Sequence, residues 1–188
     1  MGRKRTIDRD ELMQAIGRVA RNSGIAGLSI DAVAKEAGIS KSSVIYDCES
    51  KAGLMAAFIR HQMAQHREQS ADIRARHEGK PNSRLREKID EFRRVPTDDE
   101  LATALLISAS LGEHAECREI MREELGGDAE MIAAEAGDRK RMMMTMLTLY
   151  GMVFLEFFGL HRFDEATRNL ILDDLMATAE SDPGASRG

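Results

Sequence analysis

Apolar residues recur at three- and four-residue spacing along almost the whole 188-residue chain, and no alternating strand-type stretch interrupts them. That periodicity dictates helices. The informative signals are therefore where each helix starts and stops. Asp8 with Glu11 forms a capping-box pattern ahead of a helix that carries Leu12, Ile16, Val19 and Ala20 and runs to Gly24. Ser29 is placed to cap a short second helix, "IDAVAKEA", that ends at Gly38, and Ser40 to cap a third reaching about Asp47. A long amphipathic helix follows Ser50 and continues to about His77, broken by "EGKPNS". A short one, "LREKIDEFRRV", precedes Pro96, and Thr97 with Glu100 opens the next. Helices from about Ala115 to Leu125 and from Asp128 to about Ala136 are separated by Gly126 and Gly127. Two more are expected over about 138–160 and from the cap Asp164, ahead of a frayed "SDPGASRG" tail.

The expected fold class is all-α. The length suits one ordinary domain or a small domain joined to a larger one. Between Met142 and Leu155, 14 residues pass without a charge, short of the roughly 20 that span a bilayer, and Glu156 ends the run. This predicts a buried or interface helix and no membrane. The basic start, "MGRKRTIDRDE", is followed by no apolar stretch, so a cytoplasmic protein with reduced thiols at Cys48 and Cys117 is expected.

The net charge of −5 conceals an asymmetry. Residues 1–60 hold 10 Lys and Arg against 7 Asp and Glu, whereas residues 61–188 hold 17 against 25. Only the basic end suits a polyanion.

The segment "GISKSSVIYDCESKAGL" sharpens that expectation. Two short helices joined by "AGIS" make a tight helix-turn-helix. Val44 and Ile45 give the third helix an apolar side, and Lys41, Ser42, Ser43 and Tyr46 give it a side of short polar groups. Such groups can approach a groove and bond bases or phosphates, which bulky apolar residues would prevent. They equally describe a capped turn with solvated residues. Lys51 adds a cation at a helix N-terminus, and Arg3, Lys4 and Arg5 form a basic arm.

The run "AIGRVARNSGIAGLSIDAVAKEAGISKSSVIYDCESKAGLMAAFI", Ala15 to Ile59, resembles the DNA-binding domain of the TetR family of transcriptional repressors. The likeness lies in the first helix, the Gly before the second, the "AxxAGIS" turn and the Ser-Lys-x-x-Leu start of the fourth. It implies an all-helical homodimer whose C-terminal domain binds a small ligand and whose last two long helices form a four-helix interface. The DNA-binding set is then Arg3, Lys4, Arg5, Ser29, Lys41, Ser42, Ser43, Tyr46 and Lys51. This sequence departs from the family pattern at Ile45, where the family carries Tyr, and at Cys48, where it carries an aromatic. Cys48 reads as a small core residue.

The division expected is a DNA-binding domain over 1–50, a ligand-binding and dimerisation domain over 51–180, and a disordered tail over 181–188. The stretch "LTLYGMVFLEFFGLHRFDEATRNLILDDL" also looks like a common C-terminal type of the family. A helix apolar nearly all round needs cover on two sides, one supplied by its own domain and one by a symmetry mate. Leu149, Met152, Phe157, Leu172 and Met176 are the expected interface residues, within 138–180. Phe92, Leu105, Ser108, Met121, Met143 and Tyr150 are expected to line a pocket for a small apolar ligand.

Catalytic readings find no support. The five histidines form no HExxH or Glu-x-x-His pattern, and His114 with Cys117 supplies only two of the ligands a metal needs. No GxGxxG, GKS, GKT or GxSxG occurs. No catalytic residue, metal or cofactor is expected. The expected function is a ligand-responsive repressor on a pseudo-palindromic operator, with a helical small-molecule-binding or scaffold protein lacking an operator as the alternative.

Overall fold

The computed structural model describes residues 9–185, the side chain of Ile25 excepted, and these form ten helices and no strand. They divide into two compact units. The first comprises residues up to Gln65 together with Ala102–Ile120, and the second His66–Leu101 with the residues from Met121 onward.

In the first unit, α1 (Arg9–Gly27) buries Leu12, Met13, Ile16 and Val19 and is kinked at Gly24. Next come α2 (Ile30–Ala37), α3 (Lys41–Cys48) and α4 (Lys51–Gln69). Phe58 of α4 is 1% exposed, and a Cβ on Gly17 would stand 3.2 Å from its ring, so α1 approaches α4 closely at that glycine. The α3–α4 corner is tighter still. A Cβ on Gly53 would lie 1.9 Å from the Cys48 carbonyl oxygen, and Glu49 takes φ 55 to make the turn. Residues 102–113 of α7 (Asp98–Glu113) and the start of α8 (Ala115–Glu135) complete this unit, with Ile107, Ser110, Cys117 and Ile120 buried.

The second unit holds α5 (Ala71–His77), α6 (Ser83–Glu91), the rest of α8, α9 (Arg139–Phe157) and α10 (Glu165–Ser181). Its core includes Leu85, Ile89, Ile132, Met142, Leu149 and Leu172. Two polar clusters fix α10 against α6. At its start, Arg168 is 3% exposed; its Nε donates to both Glu156 oxygens at 3.1 and 3.2 Å, and its terminal nitrogens donate to the carbonyls of Phe92, Arg93 and Arg94. The carbonyls of the turn that follows α6 are thereby satisfied. Just past its end, Asp182 accepts from Asn82 Nδ2 at 3.0 Å and from the backbone N–H groups of Gly137, Asp138 and Gly184 at 2.9, 2.7 and 2.8 Å. Burial opposes ionisation of Asp182, but these donors outweigh it and hold its carboxyl at about 2.

Two expected boundaries differ. The helix expected over 51–77 is two helices, α4 and α5, which meet at Ser70, whose ψ of 0 interrupts the regular ladder without leaving the right-handed region. Conversely, α8 passes unbroken through Gly126 and Gly127. Asp128 explains the second difference: it is 7% exposed and bound by Arg84 and by Tyr150, so packing holds a helix that local propensity would break. Four expected caps form: Ser29, Ser40 and Asp164 each accept a backbone N–H three residues on, and Thr97 and Glu100 bond reciprocally, whereas Asp8 lies outside the described residues. Asp138 caps α9 in the same way, accepting from Arg141 N.

A Cβ at Gly126 or Gly127 meets nothing within 4 Å. Gly126→Ala and Gly127→Ala should each stabilise the fold by about 0.5–1 kcal/mol, read as a raised urea midpoint with unchanged slope. Because the folded-state value for Asp182 lies below its ordinary 3.8, its contribution is present above about pH 4 and is lost as pH falls through about 2. Asp182→Asn should lower the unfolding midpoint at pH 7 and flatten the acid limb of the stability profile.

Candidate nucleic-acid interface

The geometry of α2 and α3 follows from three short side chains and one glycine. Ser29 Oγ accepts from Ala32 N at 3.1 Å to start α2, and Gly38 ends it with φ 64 and ψ 33, a conformation that other residues rarely adopt. Ile39 N donates back to Ala34 O at 3.0 Å, closing the corner. Ser40 Oγ then accepts from Ser43 N at 3.1 Å and lies 2.9 and 2.8 Å from the hydroxyls of Ser42 and Ser43. Val44 and Cys48, one turn apart, point into the core at 0% and 4% exposure.

The opposite side of α3 is open. Lys41, Ser42, Ile45 and Tyr46 are exposed, Ser43 is half-buried, and Tyr46 reaches 87% exposure with its ring uncovered. Lys41 Nζ donates to Asp31 Oδ2 at 2.9 Å, an exposed pair that contributes little to stability. Ser29 is exposed at the start of α2, and Lys51 is half-buried at the start of α4. Arg3, Lys4 and Arg5 lie outside the described residues. Ile45 corrects the sequence reading: it faces outward at 42% exposure, because once Val44 and Cys48 turn inward the neighbouring position rotates away from the core. An aliphatic side chain there can contact a thymine methyl, so Ile45 joins the candidate face.

Burial, reinforced by the Asp47 charge, pushes the Cys48 thiol up, which keeps it protonated and weakly nucleophilic. Beside it a cavity of about 250 Å³ lies among Leu12, Met13 and Ala57. Sulfur fills less of this corner than an aromatic ring would.

In the second unit, Phe92, Met143 and Tyr150 pack against the same core, with Phe92 edge-on to Phe157 at 6.4 Å. Their surroundings are not wholly apolar, which corrects the expected lining. Tyr150 Oη donates to Asp128 at 3.0 Å, and burial together with the Asp128 charge raises its phenol. Arg84 bridges Asp128 and Glu87, while Glu91 accepts from Lys88 and His66. Burial opposes ionisation of Glu91 too, yet the His66 and Lys88 donors hold its carboxyl at about 2. Met121 is half-buried in this unit; Leu105, exposed, and Ser108, half-buried, belong to the first.

The expected interface residues also need correction. Leu149, Met152, Leu172 and Met176 are 0%, 4%, 0% and 9% exposed, already enclosed by their own unit, and Phe157 is half-buried against Phe92. They have almost no surface to offer a partner. The outward apolar positions of α9 are Met144, Leu147 and Phe154, at 59%, 62% and 52% exposure, followed just past its end by Phe158 at 36%, and Leu170 of α10 is 71% exposed. Gly151 stands between Leu147 and Phe154 on the same side, also exposed. The spacing 144, 147, 151, 154, 158 follows the three-four rhythm of a helix seam.

Among the described residues, no three His, Cys, Asp or Glu side chains are placed to hold a metal, and no helix is long and apolar enough to cross a membrane.

No curated protein matches the chain. Solved structures do. The multidrug binding protein EbrR complexed with imidazole is 25% identical, with 90% of this chain and 94% of that one covered at a TM-score of 0.62. Its complex with ethidium is also 25% identical, covering 89% and 97% at 0.62. A TetR transcription regulator from Haloarcula marismortui ATCC 43049, 19% identical over 93% and 97% at a TM-score of 0.68, shares the fold. Residues 82–180 match the family described as "Tetracyclin repressor-like, C-terminal domain". With more than half its length matched to that family, the chain belongs to the TetR family of transcriptional regulators.

Proposed function

We propose that the protein is a ligand-responsive repressor that binds a pseudo-palindromic DNA operator as a homodimer and is released by a small organic ligand. The observation that carries this reading is the outer side of α3. Its hydroxyls, lysine and uncovered tyrosine stand on a helix whose inner side is anchored by Val44 and Cys48. Residues 1–50 act as the reading head and residues 51–180 carry ligand response and dimerisation. Lys41, Ser42, Ser43, Ile45 and Tyr46 enter the major groove, with Lys51 and Ser29 at flanking phosphates and Arg3, Lys4 and Arg5 following the backbone or the neighbouring minor groove. The outward face of α9, with Leu170 of α10, meets its symmetry mate. The EbrR complexes with imidazole and ethidium support a small-molecule response. Release follows when a ligand binds better to the form whose two reading heads are wrongly spaced for the operator.

Lys51→Ala should weaken binding to all duplexes alike and reduce the slope of log affinity against log salt by about 1, whereas Ser43→Ala should change which operator is preferred. Fluorescence anisotropy over a salt series, on the operator and on a scrambled duplex, separates the two. Altered sequence preference in Lys51→Ala at undiminished affinity would remove Lys51 from the phosphate contacts. For the dimer, Phe154→Glu should give a monomer in sedimentation velocity with helical circular dichroism unchanged. A dimer that survives this substitution would move the interface off this face of α9.

A further inference from the structure

Asp31 stands in the first turn of α2 and bonds across the corner to the first residue of α3, where Lys41 Nζ donates to its Oδ2 at 2.9 Å. The two side chains are 70% and 57% exposed, so the pair adds little to a corner that the Gly38 turn and the Ser29 and Ser40 caps already hold. We infer that Asp31 is a specificity-determining residue of the reading head: its carboxylate accepts the N4 amino group of a cytosine in each operator half-site and disfavours duplexes that lack one there. This role rests on the DNA-binding reading above and adds a residue to it.

In a helix-turn-helix the N-terminal residues of the second helix meet the base edges. Lys41 is the first residue of α3, and a carboxylate within hydrogen-bond distance of its ammonium shares that edge of the groove. The other acid of α2, Glu36, lies five residues on, about 140° round the helix. It bonds Arg18 of α1 at 2.5 Å. Of the two, Asp31 is the one turned towards α3.

Charge decides what a carboxylate can do at that edge. Phosphates repel it, and by holding Lys41 it offsets a cation that would otherwise draw the head to any duplex. Bases differ in what they offer it. Guanine shows the O6 and N7 acceptors and thymine the O4 acceptor, all of which repel a carboxylate, and adenine sets its amino group beside the N7 acceptor. Cytosine alone presents an amino donor with no acceptor next to it in the major groove. One bond to Lys41 leaves Asp31 with acceptor capacity for that amino group and leaves Lys41 with two further N–H donors for guanine O6 or N7. A matching sequence therefore replaces the hydrogen bonds with water that Asp31 loses on binding, and a mismatched one leaves its charge among acceptors.

Selection of full-length wild type, Asp31→Ala and Asp31→Asn on one random-sequence duplex library tests this. Wild type should enrich a half-site with a fixed cytosine, and Asp31→Ala should relax that position. Asp31→Asn should move it towards adenine, whose N6 and N7 an amide bonds together, and because it keeps the size of the side chain it decides the matter even if alanine loosens α2. Helical circular dichroism checks that each variant is folded. Fluorescence anisotropy on the wild-type operator and on a scrambled duplex gives the second readout. Asp31→Ala should strengthen binding to the scrambled duplex and lower the ratio of operator to scrambled affinity roughly tenfold, the size of one base contact. Glu36→Gln removes the same charge from the other side of α2 and should leave that ratio unchanged. A wild-type half-site without a fixed cytosine, a cytosine preference that survives in both Asp31 variants, or a ratio that moves no further than in Glu36→Gln would overturn the role of Asp31 and leave the DNA-binding reading in place. Enrichment of no sequence by the wild type would overturn both.

Discussion

The attachment of α10 to α6 at both ends is the constraint on which the second unit depends. Arg168 bonds the carbonyls of the turn that follows α6 and pairs with Glu156 of α9, and Asp182 gathers the N–H groups of Asn82, Gly137, Asp138 and Gly184. Both groups are nearly inaccessible, so leaving either unpaired would carry the full cost of a buried charge. Each instead is satisfied by backbone groups together with one side-chain partner, which gives direction as well as energy. With α10 held in this way, Leu172, Leu175 and Met176 turn inward and Leu170 turns out. The same register presents Leu147, Gly151 and Phe154 on the outward side of α9.

In the first unit the controlling feature is the α2–α3 corner. Gly38 makes the turn, the serines at its two ends satisfy the orphan N–H groups of the helices, and only two side chains of α3 are needed to seat it. That economy leaves most of α3 free of packing duty. A helix anchored by Val44 and Cys48 alone can present Lys41, Ser42, Ile45 and Tyr46 to a partner without altering the core, which is the property a reading helix requires. Gly53 matters for the same reason: with any larger residue, α4 could not come so near the Cys48 carbonyl, and α3 would be displaced.

Caps and turns were legible in the sequence because they depend on neighbours three residues apart. Ser29, Ser40, Asp164 and the Thr97–Glu100 pair stand where short-range chemistry puts them. What was not legible depends on partners distant in the chain. Gly126 and Gly127 read as a break until Asp128 is seen held by Arg84, 44 residues away, and by Tyr150. In α9, apolar on nearly every side, periodicity could not distinguish Leu149, which faces the core, from Leu147, which does not. The exposed side of α3 was mostly visible, since its hydroxyl residues and Tyr46 have few other uses on a short helix, but hydrophobicity alone puts Ile45 on the inner side, whereas it faces outward.

The proposed function stands on sequence-specific DNA recognition by a symmetric dimer. Selection of the purified full-length protein on a random-sequence duplex library, followed by a salt titration on the enriched site, tests it most directly. Enrichment of a pseudo-palindrome whose affinity falls steeply with salt is expected, as phosphate-contacting proteins require. A folded, dimeric protein that enriches no sequence would contradict it.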